Sequence, residues 1–312
     1  MRLDGMGGTV TVTDQIKKVF DLTEIPITLI IRKYKELFQQ NPYIKEVIEV
    51  GYGGNNQILT QYIDKYDILC DIRFIVGKWY YKGNIAPLTD INFTDWEVIY
   101  NRHPNHRDFI CKASNDIDKY NLNQTQIVDM SLGLPYNTID SKIYVDKVYN
   151  ETSLPKKFIL INNGVDIQHK SMRQTKQWDY WNNLIPLLTL PTVQVGSIDD
   201  KLIKGITYDL RGKTNLLQLI YLMKKSTLIL CCEGGIMHLA YSIDCSNIVV
   251  LRGPSSGPIN KYPNQTTIDS FTCDNCWWTA DTWYVNCPLK LDCICMKSIS
   301  PERVAYTVGN TI

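Results

Sequence analysis

The segment 228–254 constrains the fold of this chain more than any other, because it places strand, glycine turn, helix and strand within one short unit. Residues 228–232 are continuously apolar, which is typical of a strand buried on both faces of a parallel sheet. A Glu-Gly-Gly turn at 233–235 interrupts this run, and an apolar-periodic segment follows at 236–242. Residues 248–251 then predict the next strand. This order predicts an α/β fold with a parallel sheet.

The turn at 233–235 is a candidate phosphate site. Gly234 and Gly235 permit a tight turn and a close approach of the backbone. A helix that begins after them directs its free N–H groups out of the carboxyl edge of the sheet, where nucleotide phosphates bind in open α/β folds. His238 falls in the first turn of this helix, close enough to supply a hydrogen bond or a proton. The spacing alone is equally compatible with an ordinary strand–turn–helix connection and a structural histidine.

Five segments in the second half of the chain follow the motif order of one known family. They are FILINNG at 158–164, KQW at 176–178, VQVG at 193–196, DLRGKT at 209–214 and EGGIMHLAYSIDCSNIVVLRGP at 233–254. The last one resembles a D/E-x-G-x-M-H-L-A motif that is followed by a strand and a Gly-Pro or Gly-Thr pair. Together the segments resemble glycosyltransferase family 9, the ADP-heptose:lipopolysaccharide heptosyltransferase-like proteins. The resemblance covers about half of the chain, and it is looser in the N-terminal half.

The resemblance implies the GT-B architecture, in which two Rossmann-like domains face each other across a cleft. Strand-like runs at 27–31, 47–50 and 68–72 alternate with helical segments at 13–22, 33–39 and 55–66. This alternation predicts a parallel sheet in the N-terminal half as well. A polar, proline-containing stretch at 150–157 separates the two α/β patterns. We therefore predict an N-terminal acceptor-binding domain over 1–150 and a C-terminal nucleotide-sugar-binding domain over 151–312.

Ten cysteines are unusual in a cytosolic enzyme unless some of them hold a metal ion. A C-x2-C pair near the C terminus, followed by further cysteines, is the usual ligand pattern of a tetrahedral zinc or iron knuckle. The resemblance favours a structural ion in a knuckle over 273–296, held by Cys273, Cys276, Cys287 and Cys295. Cys293 is an alternative ligand. Disulfide pairing is the alternative in an oxidising compartment.

The resemblance also implies which residues hold the donor. It assigns to nucleotide-sugar binding Lys176, Lys213, Glu233, Gly234, Gly235, Met237 and His238. Displacement at the anomeric carbon releases a diphosphate, and the two lysines and the helix N–H groups could neutralise its charge without a metal ion. Glu233 either holds a ribose or sugar hydroxyl or orients the glycine turn. Asp199 and Asp200 lie where the family presents an acidic group to the ribose.

The chain departs from the family at the catalytic base. Family members open with a strand, a basic residue and a Gly-Asp turn whose Asp is taken as the base. This chain has RLDGMGGT at 2–9, so Gly8 stands in the place of that Asp. Asp4 lies in the same loop and is the predicted base, and Asp14 is a weaker candidate. The alternative is a slow or inactive enzyme. The first strand is short, which also suggests that N-terminal residues are missing.

We interpret the chain as a glycosyltransferase that moves a heptose or a related sugar from a nucleotide donor to a glycan or another cell-surface acceptor. The resemblance implies an ADP-linked donor and inversion at the anomeric carbon. One alternative is a GT-B nucleotide-sugar epimerase, which would need several carboxylates and a histidine in the cleft. Another is a binding protein that kept the fold and lost its base. A zinc module for nucleic acid is disfavoured, because the cysteine region lacks a basic face.

The composition excludes several other classes of protein. With 312 residues, 44% hydrophobic content and a net charge of +1, the chain can bury two cores and shows neither the pattern of a disordered protein nor that of a polyanion binder. No run reaches the roughly eighteen apolar residues of a membrane span. Met1 is followed by Arg2, Leu3 and Asp4 rather than by the apolar region of a signal peptide. We expect a cytoplasmic enzyme with at most peripheral membrane contact.

Overall fold

A computed structural model describes residues 1, 6–51, 54–73, 75–89, 121–145, 154–164, 174–273, 276–277 and 283–312. These residues form two compact units. The first unit comprises the described residues within 1–106 and 122–146, and the second comprises those within 107–121 and 147–312. The predicted boundary near 150 falls at 146–153, outside the described residues, and it stays a prediction.

In the described residues of the first unit there are four strands, paired two by two, and four α-helices. In chain order its elements are α1 (Met6–Thr11), α2 (Thr13–Thr23), β1 (Ile27–Ile31), β2 (Ile44–Glu49), α3 (Asn55–Tyr62), β3 (Ile68–Arg73), β4 (Val76–Tyr81) and α4 (Gln124–Leu132). Strands β1 and β2 are parallel, as predicted. Strands β3 and β4 are antiparallel, because β4 begins only three residues after β3 ends and a parallel partner needs a much longer crossover.

A buried cluster of charged side chains joins α2 to α4. The Lys18 ammonium lies 3.0 Å from Asp14 Oδ2 and 2.5 Å from Asp129 Oδ2. Gln15 Nε2 donates a hydrogen bond to Asp129 Oδ1 at 2.8 Å, and the backbone N–H of Asp140 donates to Asp14 Oδ1. Burial, reinforced by the charge of Asp14, raises the pKa of Asp129 to about 9. The side chains of Asp14 and Asp129 are fully enclosed.

The second unit is built on one six-stranded sheet. Its elements are β5 (Ile159–Asn162), α5 (Trp181–Leu184), β6 (Thr192–Gln194), β7 (Tyr208–Asp209), α6 (Leu216–Lys225), β8 (Leu228–Cys232), α7 (Gly235–Ser242), β9 (Ile248–Arg252), β10 (Gln265–Asp269), α8 (Ile294–Lys297) and α9 (Pro301–Thr311). The strand order is β10–β9–β8–β5–β6–β7, and every pairing is parallel. The α/β fold with a parallel sheet is therefore confirmed.

The order of strands reverses at β5. From β5 the chain adds β6 and β7 on one side and then returns to place β8 and β9 on the other. In open α/β sheets such a reversal opens a crevice at the carboxyl ends of the two diverging strands, and ligands bind there. The crevice between β5 and β8 lies where Asn162 pairs with Cys231, directly before the turn at Glu233.

The core of the second unit includes apolar strand residues, two tryptophans and apolar residues of the C-terminal helices. All residues of β8 and β9 are buried, including Leu228, Leu230 and Leu251. Trp178 and Trp181 pack edge to face at 5.0 Å on the same core, and Trp178 Nε1 donates to the carbonyl of Ile299. Burying one leucine side chain contributes about 1.5–3 kcal/mol. This packing fixes the carboxyl edge on which the candidate site lies.

Among the described residues, no helix is both long and apolar enough to cross a bilayer. The GT-B arrangement of two domains across a cleft and the cysteine knuckle stay predictions.

Candidate functional site

The glycine turn and the helix follow β8 in the predicted order, but the backbone conformation of Gly234 does not require glycine. Its φ of 166° is extended, which any residue can adopt. A Cβ placed on Gly234 would meet no neighbouring atom closer than 4.0 Å, the nearest being the carbonyl oxygen of Cys232. Helix α7 begins at Gly235, so its first N–H groups open at this edge of the sheet. The space beside Gly234 is open to a ligand.

Glu233 lies at the centre of a buried polar cluster at this edge. Its carboxylate forms an ion pair with the Lys176 ammonium, and Ser255 Oγ donates to Glu233 Oε2 at 2.9 Å. Burial alone would raise the pKa of Glu233, but the charge of Lys176, hydrogen bonds from Lys176 and Ser255, and the charge of His238 lower it to about 2. The predicted phosphate-binding lysine is thus held within the protein by a carboxylate.

His238 and Met237 face different surroundings. His238 is 5% exposed, and its Nδ1 lies 2.7 Å from the hydroxyl of Tyr262, with the two rings edge to face. Met237 is fully buried, and its carbonyl accepts a hydrogen bond from Gln265 Nε2 at 3.0 Å. The structure therefore gives His238 a polar partner beside the candidate site, whereas it places Met237 in the core. The donor-binding role predicted for both stays a prediction.

A second polar region lies at the ends of β5 and β6, where a cavity of about 330 Å³ opens. Its lining residues include Asn163, Asp199, Asp200, Lys201 and Trp178. The cavity thus contains both acidic residues that the sequence associated with a ribose. It adjoins Lys176 through the neighbouring Gln177 and Trp178, whereas Glu233 is not among its lining residues.

Asp200 is closely fitted between two glycines. A Cβ on Gly164 would lie 2.5 Å from Asp200 Oδ2, and a Cβ on Gly196 would clash with the same oxygen. The backbone N–H of Ser197 donates to Asp200 Oδ2 at 2.8 Å, and Arg211 donates to the carbonyl of Asp200. Burial raises the pKa of Asp200. These glycines are needed for a close approach of side chain to backbone.

Lys213 does not join either polar region through its side chain. Its ammonium donates to the carbonyl of Asp209 at 2.7 Å, and the residue is exposed. Arg211 instead forms a bidentate pair with the Asp209 carboxylate, at 2.8 and 2.9 Å. A phosphate role for Lys213 stays a prediction.

The C-terminal cysteines lie in one neighbourhood. Burial raises the pKa of Cys276 to about 12, and the nearby thiols of Cys287, Cys273 and Cys293 add to this shift. Burial also opposes ionisation of Cys287, but hydrogen bonds from four backbone N–H groups lower its pKa. These donors belong to Leu289, Lys290, Leu291 and Cys293. No disulfide joins the cysteines that the structure describes.

The predicted metal site of Cys273, Cys276, Cys287 and Cys295 is not confirmed. Within the described part of the chain, no group of three or more His, Cys, Asp or Glu side chains is arranged to hold a metal ion. The cluster has thiol donors and, at Cys287, the backbone hydrogen bonds that favour a thiolate. It lacks the converging geometry of a four-ligand site.

The residues considered for the catalytic base lie in different surroundings, and one of them is not described by the structure. Asp4 lies outside the described residues. Gly8, which replaces the family's Asp, lies in α1. Asp14 is fully buried, and both of its carboxylate oxygens are engaged, one with Lys18 and the other with the backbone of Asp140. This geometry leaves Asp14 no oxygen for an acceptor hydroxyl.

Three residues of the candidate site were missed by sequence reasoning. Ser255 follows the Gly-Pro turn at the end of β9, so its position at the carboxyl edge could have been read from the strand prediction. Tyr262 and Trp283 have no such local indication. Tyr262 contacts His238, and the ring centroid of Trp283 lies 5.2 Å from the Lys176 ammonium. Both lie more than twenty residues along the chain from the groups they contact.

Comparisons with known proteins agree with this architecture. Residues 122–270 match the model of glycosyltransferase family 9 (heptosyltransferase). A comparison with curated protein sequences finds no match. Among solved structures, the chain is similar to a family 9 glycosyl transferase from Veillonella parvula DSM 2008, with a TM-score of 0.61 and 14% identity over 99% of this chain and 94% of that one.

Two further similar structures come from E. coli. For the ADP-heptose lps heptosyltransferase II the TM-score is 0.61 and the identity 15%, over 100% of this chain and 98% of that one. For the iron-containing dodecameric glycosyltransferase TibC of enterotoxigenic E. coli H10407 the TM-score is 0.65 and the identity 13%, over 99% and 74%. At these identities the likeness concerns the fold. The resemblance to glycosyltransferase family 9 (heptosyltransferase) is thus confirmed, through residues 122–270 of this chain.

Proposed function

We propose that this chain is a glycosyltransferase that transfers a heptose or a related sugar from an ADP-linked donor to a glycan or another cell-surface acceptor. The observation that carries the proposal is the crevice between β5 and β8, where the start of α7, the open space beside Gly234 and the Lys176 ammonium meet. Three similar structures are named as family 9 or heptosyltransferase proteins, and one is described with ADP-D-beta-D-heptose. The enzyme would act in the cytoplasm.

The chemistry proposed for the crevice is stabilisation of a leaving diphosphate. The bond between the anomeric carbon and the diphosphate oxygen breaks as the acceptor oxygen attacks, and negative charge develops on the diphosphate. Backbone N–H groups at the start of α7 and the Lys176 ammonium would bind that charge. To do so, Lys176 exchanges part of its ion pair with Glu233 for a phosphate oxygen.

The cavity at the ends of β5 and β6 is proposed to hold the nucleoside. Asp199 and Asp200 supply carboxylates for ribose hydroxyls, and Trp178 supplies an apolar wall. Because the cavity adjoins the segment that carries Lys176, one nucleotide could reach from it to the crevice. Residues 1–150 are proposed to bind the acceptor, and Asp4 is proposed as the base that takes the proton of its hydroxyl.

A second candidate function is the binding of a nucleotide sugar without turnover. It is favoured by two observations, the Gly8 that stands where the family has its Asp and the complete burial of Asp14. Sugar transfer measured with the bound donor separates the two functions. If Asp4→Asn abolishes turnover and keeps nucleotide affinity, the chain is an enzyme with a displaced base. Binding without turnover in the unaltered protein identifies the second function.

The phosphate site is best tested by Gly234→Ala. We expect ADP affinity, measured by calorimetric titration, to fall at least about tenfold, because the new methyl group occupies the space through which a phosphate reaches the backbone. The unfolding temperature should hardly change, since a Cβ at this position meets no protein atom closer than 4.0 Å. Lys176 is a less suitable position, because its removal leaves Glu233 buried without a cation.

Gly309→Ala is the matched control for this test. Gly309 lies on α9 of the same unit, and a Cβ there also meets no atom within 4 Å. This substitution should leave ADP affinity unchanged. Equal affinities for the unaltered protein and both variants would place the nucleotide elsewhere. A failure of ADP, UDP, GDP and CMP alike to bind would contradict the proposed donor site.

The cysteine cluster is proposed to hold a structural zinc or iron ion through Cys273, Cys276, Cys287 and Cys295, whose thiolates the ion would draw into the four-ligand geometry that they lack without it. The support is the shared neighbourhood of the thiols, the backbone donors around Cys287, and the iron described for the similar TibC structure. Metal analysis of purified protein is the check. Cys276→Ser should release the ion, and full retention of metal in that variant would contradict this ligand set.

A further inference from the structure

We propose that Trp283 positions the Lys176 ammonium for binding of a diphosphate, together with the described residues 276–277 and 283–296, here called the cysteine segment. This inference rests on the proposed anion site between β5 and β8. It gives the cysteine segment a role in ligand binding, besides the structural role that a metal knuckle would have.

The first observation is the contact between Trp283 and Lys176. The ammonium lies 5.2 Å from the centroid of the ring, and Trp283 and Lys176 are only 2% and 5% exposed. A cation over an aromatic face is attracted by the ring quadrupole, and this attraction is stronger where water is excluded. Lys176 is therefore held from two sides, by the carboxylate of Glu233 and by the face of Trp283.

The second observation connects the cysteine segment to Glu233. The backbone N–H of Cys276 donates to the carbonyl of Pro254 at 3.0 Å. The next residue is Ser255, whose hydroxyl donates to Glu233 Oε2 at 2.9 Å. The turn that holds the carboxylate is thus itself held by the cysteine segment.

The third observation is a close contact on the same turn. A Cβ on Gly253 would lie 2.6 Å from Met296 Sδ and 3.0 Å from Cys295 Sγ. Both side chains are buried, at 1% and 4% exposure, so they have little room to move away. The cysteine segment therefore contacts the Gly253–Ser255 turn as well as Lys176.

These contacts explain how Lys176 can serve two partners. A diphosphate that enters the crevice competes with Glu233 for the ammonium, and the lysine must shift while its hydrogen bonds exchange. An aromatic face is an attractive surface without fixed acceptor positions, so it keeps the ammonium at this edge through the shift. Trp283 is a positioning residue in this sense.

The experiment uses inorganic pyrophosphate, which tests the anion site whatever the nucleoside is. We expect Trp283→Leu to weaken pyrophosphate binding about tenfold and Trp283→Phe, which keeps an aromatic face, to restore most of the affinity. Trp277→Leu is the matched control, because Trp277 belongs to the same segment, is also buried, and packs edge to face on Trp283. Equal losses in the Trp277→Leu and Trp283→Leu proteins would overturn the proposal, since they would indicate a general packing effect.

A measurement on the otherwise unaltered protein covers the case in which Trp283→Leu does not fold. The chain is labelled with 5-fluorotryptophan, and the resonance of residue 283 is assigned from the Trp283→Phe protein. Saturating pyrophosphate should shift the fluorine resonance of Trp283 and leave that of Trp79, on β4 of the first unit, in place. A Trp283 resonance that does not move while pyrophosphate binds would overturn the proposal.

The outcomes also separate this inference from the proposed function. If pyrophosphate binds and depends on Trp283 while no nucleotide binds, the positioning role stands and the nucleotide donor fails. If ADP and pyrophosphate bind but Trp283→Leu has no effect on either, the positioning role fails and the donor site stands. If the unaltered protein binds neither, the anion site is contradicted and both proposals fall with it.

Discussion

The interiors of the two units are stabilised by different kinds of contact. In the second unit, β8 and β9 are buried along their whole lengths and stand in one continuous parallel sheet. In the first unit the described strands pair as β1 with β2 and β3 with β4, and Lys18 lies between Asp14 and Asp129 in the interior. Most of the segment that matches the family model, 122–270, belongs to the second unit.

This difference indicates which contacts determine the packing of each unit. Apolar strands gain free energy from burial whatever their exact partners, so a local pattern is enough to place them. A buried charge is tolerated only with a defined partner, and Lys18 and Asp129 are 111 positions apart. The buried charge cluster of the first unit should therefore respond more strongly to the loss of one side chain than the apolar strands of the second unit do.

The largest effect is expected for Lys18→Met. The substitution removes the cation that lies between the two buried acids, so the Asp14 carboxylate loses its ion pair and Asp129 loses a hydrogen-bond donor. Such losses cost about 3–5 kcal/mol of the free energy of unfolding. Lys17→Met is the matched control, because Lys17 pairs with Asp21 on the exposed face of the same helix, and the two side chains are 45% and 50% exposed. That surface pair should contribute less than about 1 kcal/mol. Urea unfolding followed by circular dichroism checks both, and equal effects would remove the distinction drawn for the first unit.

The next largest effect is the pH dependence of the free energy of unfolding that Asp129 causes. The unfolded chain releases this proton near the ordinary carboxyl pKa, whereas the folded protein keeps it until about pH 9. Between these values the folded state binds more protons, so its contribution to stability is complete at low pH and is lost as pH rises. From pH 5 to 8 the free energy of unfolding should fall, by at most about 1.4 kcal/mol per pH unit for one proton.

Asp129→Asn should flatten this pH dependence, because an amide of the same shape does not titrate. Asp21→Asn, in the exposed pair of α2, is the control and should keep the slope of the unaltered protein. Urea midpoints at several pH values between 5 and 8 give the comparison. A slope that persists in the Asp129→Asn protein would show that the pH dependence arises elsewhere.

Much of the fold was predictable from local patterns. The apolar runs at 27–31 and 228–232 coincide with β1 and β8, and the glycine turn predicted the start of α7 to within one residue. The helix expected at 33–39 was wrong. Only a 3-10 turn at Lys35–Leu37 forms, after Tyr34 takes a left-handed φ of 73° that interrupts helical geometry.

The sequence predicted that the candidate site lies at the carboxyl edge of the parallel sheet, but it did not predict which side chains contact each other there. The sequence placed Glu233 and His238 at the carboxyl ends of the strands, because parallel strands share that edge. It treated Lys176 and Glu233 as independent ligands, whereas the structure joins them in one ion pair across 57 positions. The contact between Trp283 and Lys176 is also tertiary, and no local periodicity contains it.

The smallest expected effect compares two helix caps that are alike in sequence and differ in burial. Asn123 is the N-cap of α4 in the first unit, and Asn215 is the N-cap of α6 in the second. Each forms a capping box with a glutamine three residues later. Asn123 is 3% exposed and accepts hydrogen bonds from both the backbone N–H and the hydroxyl of Thr125, at 3.0 and 3.1 Å. Asn215 is exposed and accepts one from the backbone N–H of Gln218 at 2.9 Å.

Replacing either asparagine with alanine removes an N-cap, which costs about 0.5–2 kcal/mol. At Asn215 water can satisfy the freed N–H group, so the loss should lie at the lower end of this range. At Asn123 the hydroxyl of Thr125 loses a buried partner as well, so the loss should approach the upper end. Urea unfolding of the two variants provides the measurement. A larger loss at Asn215 would mean that polar contacts are no more critical in the first unit than in the second, and it would reverse the contrast between the two units.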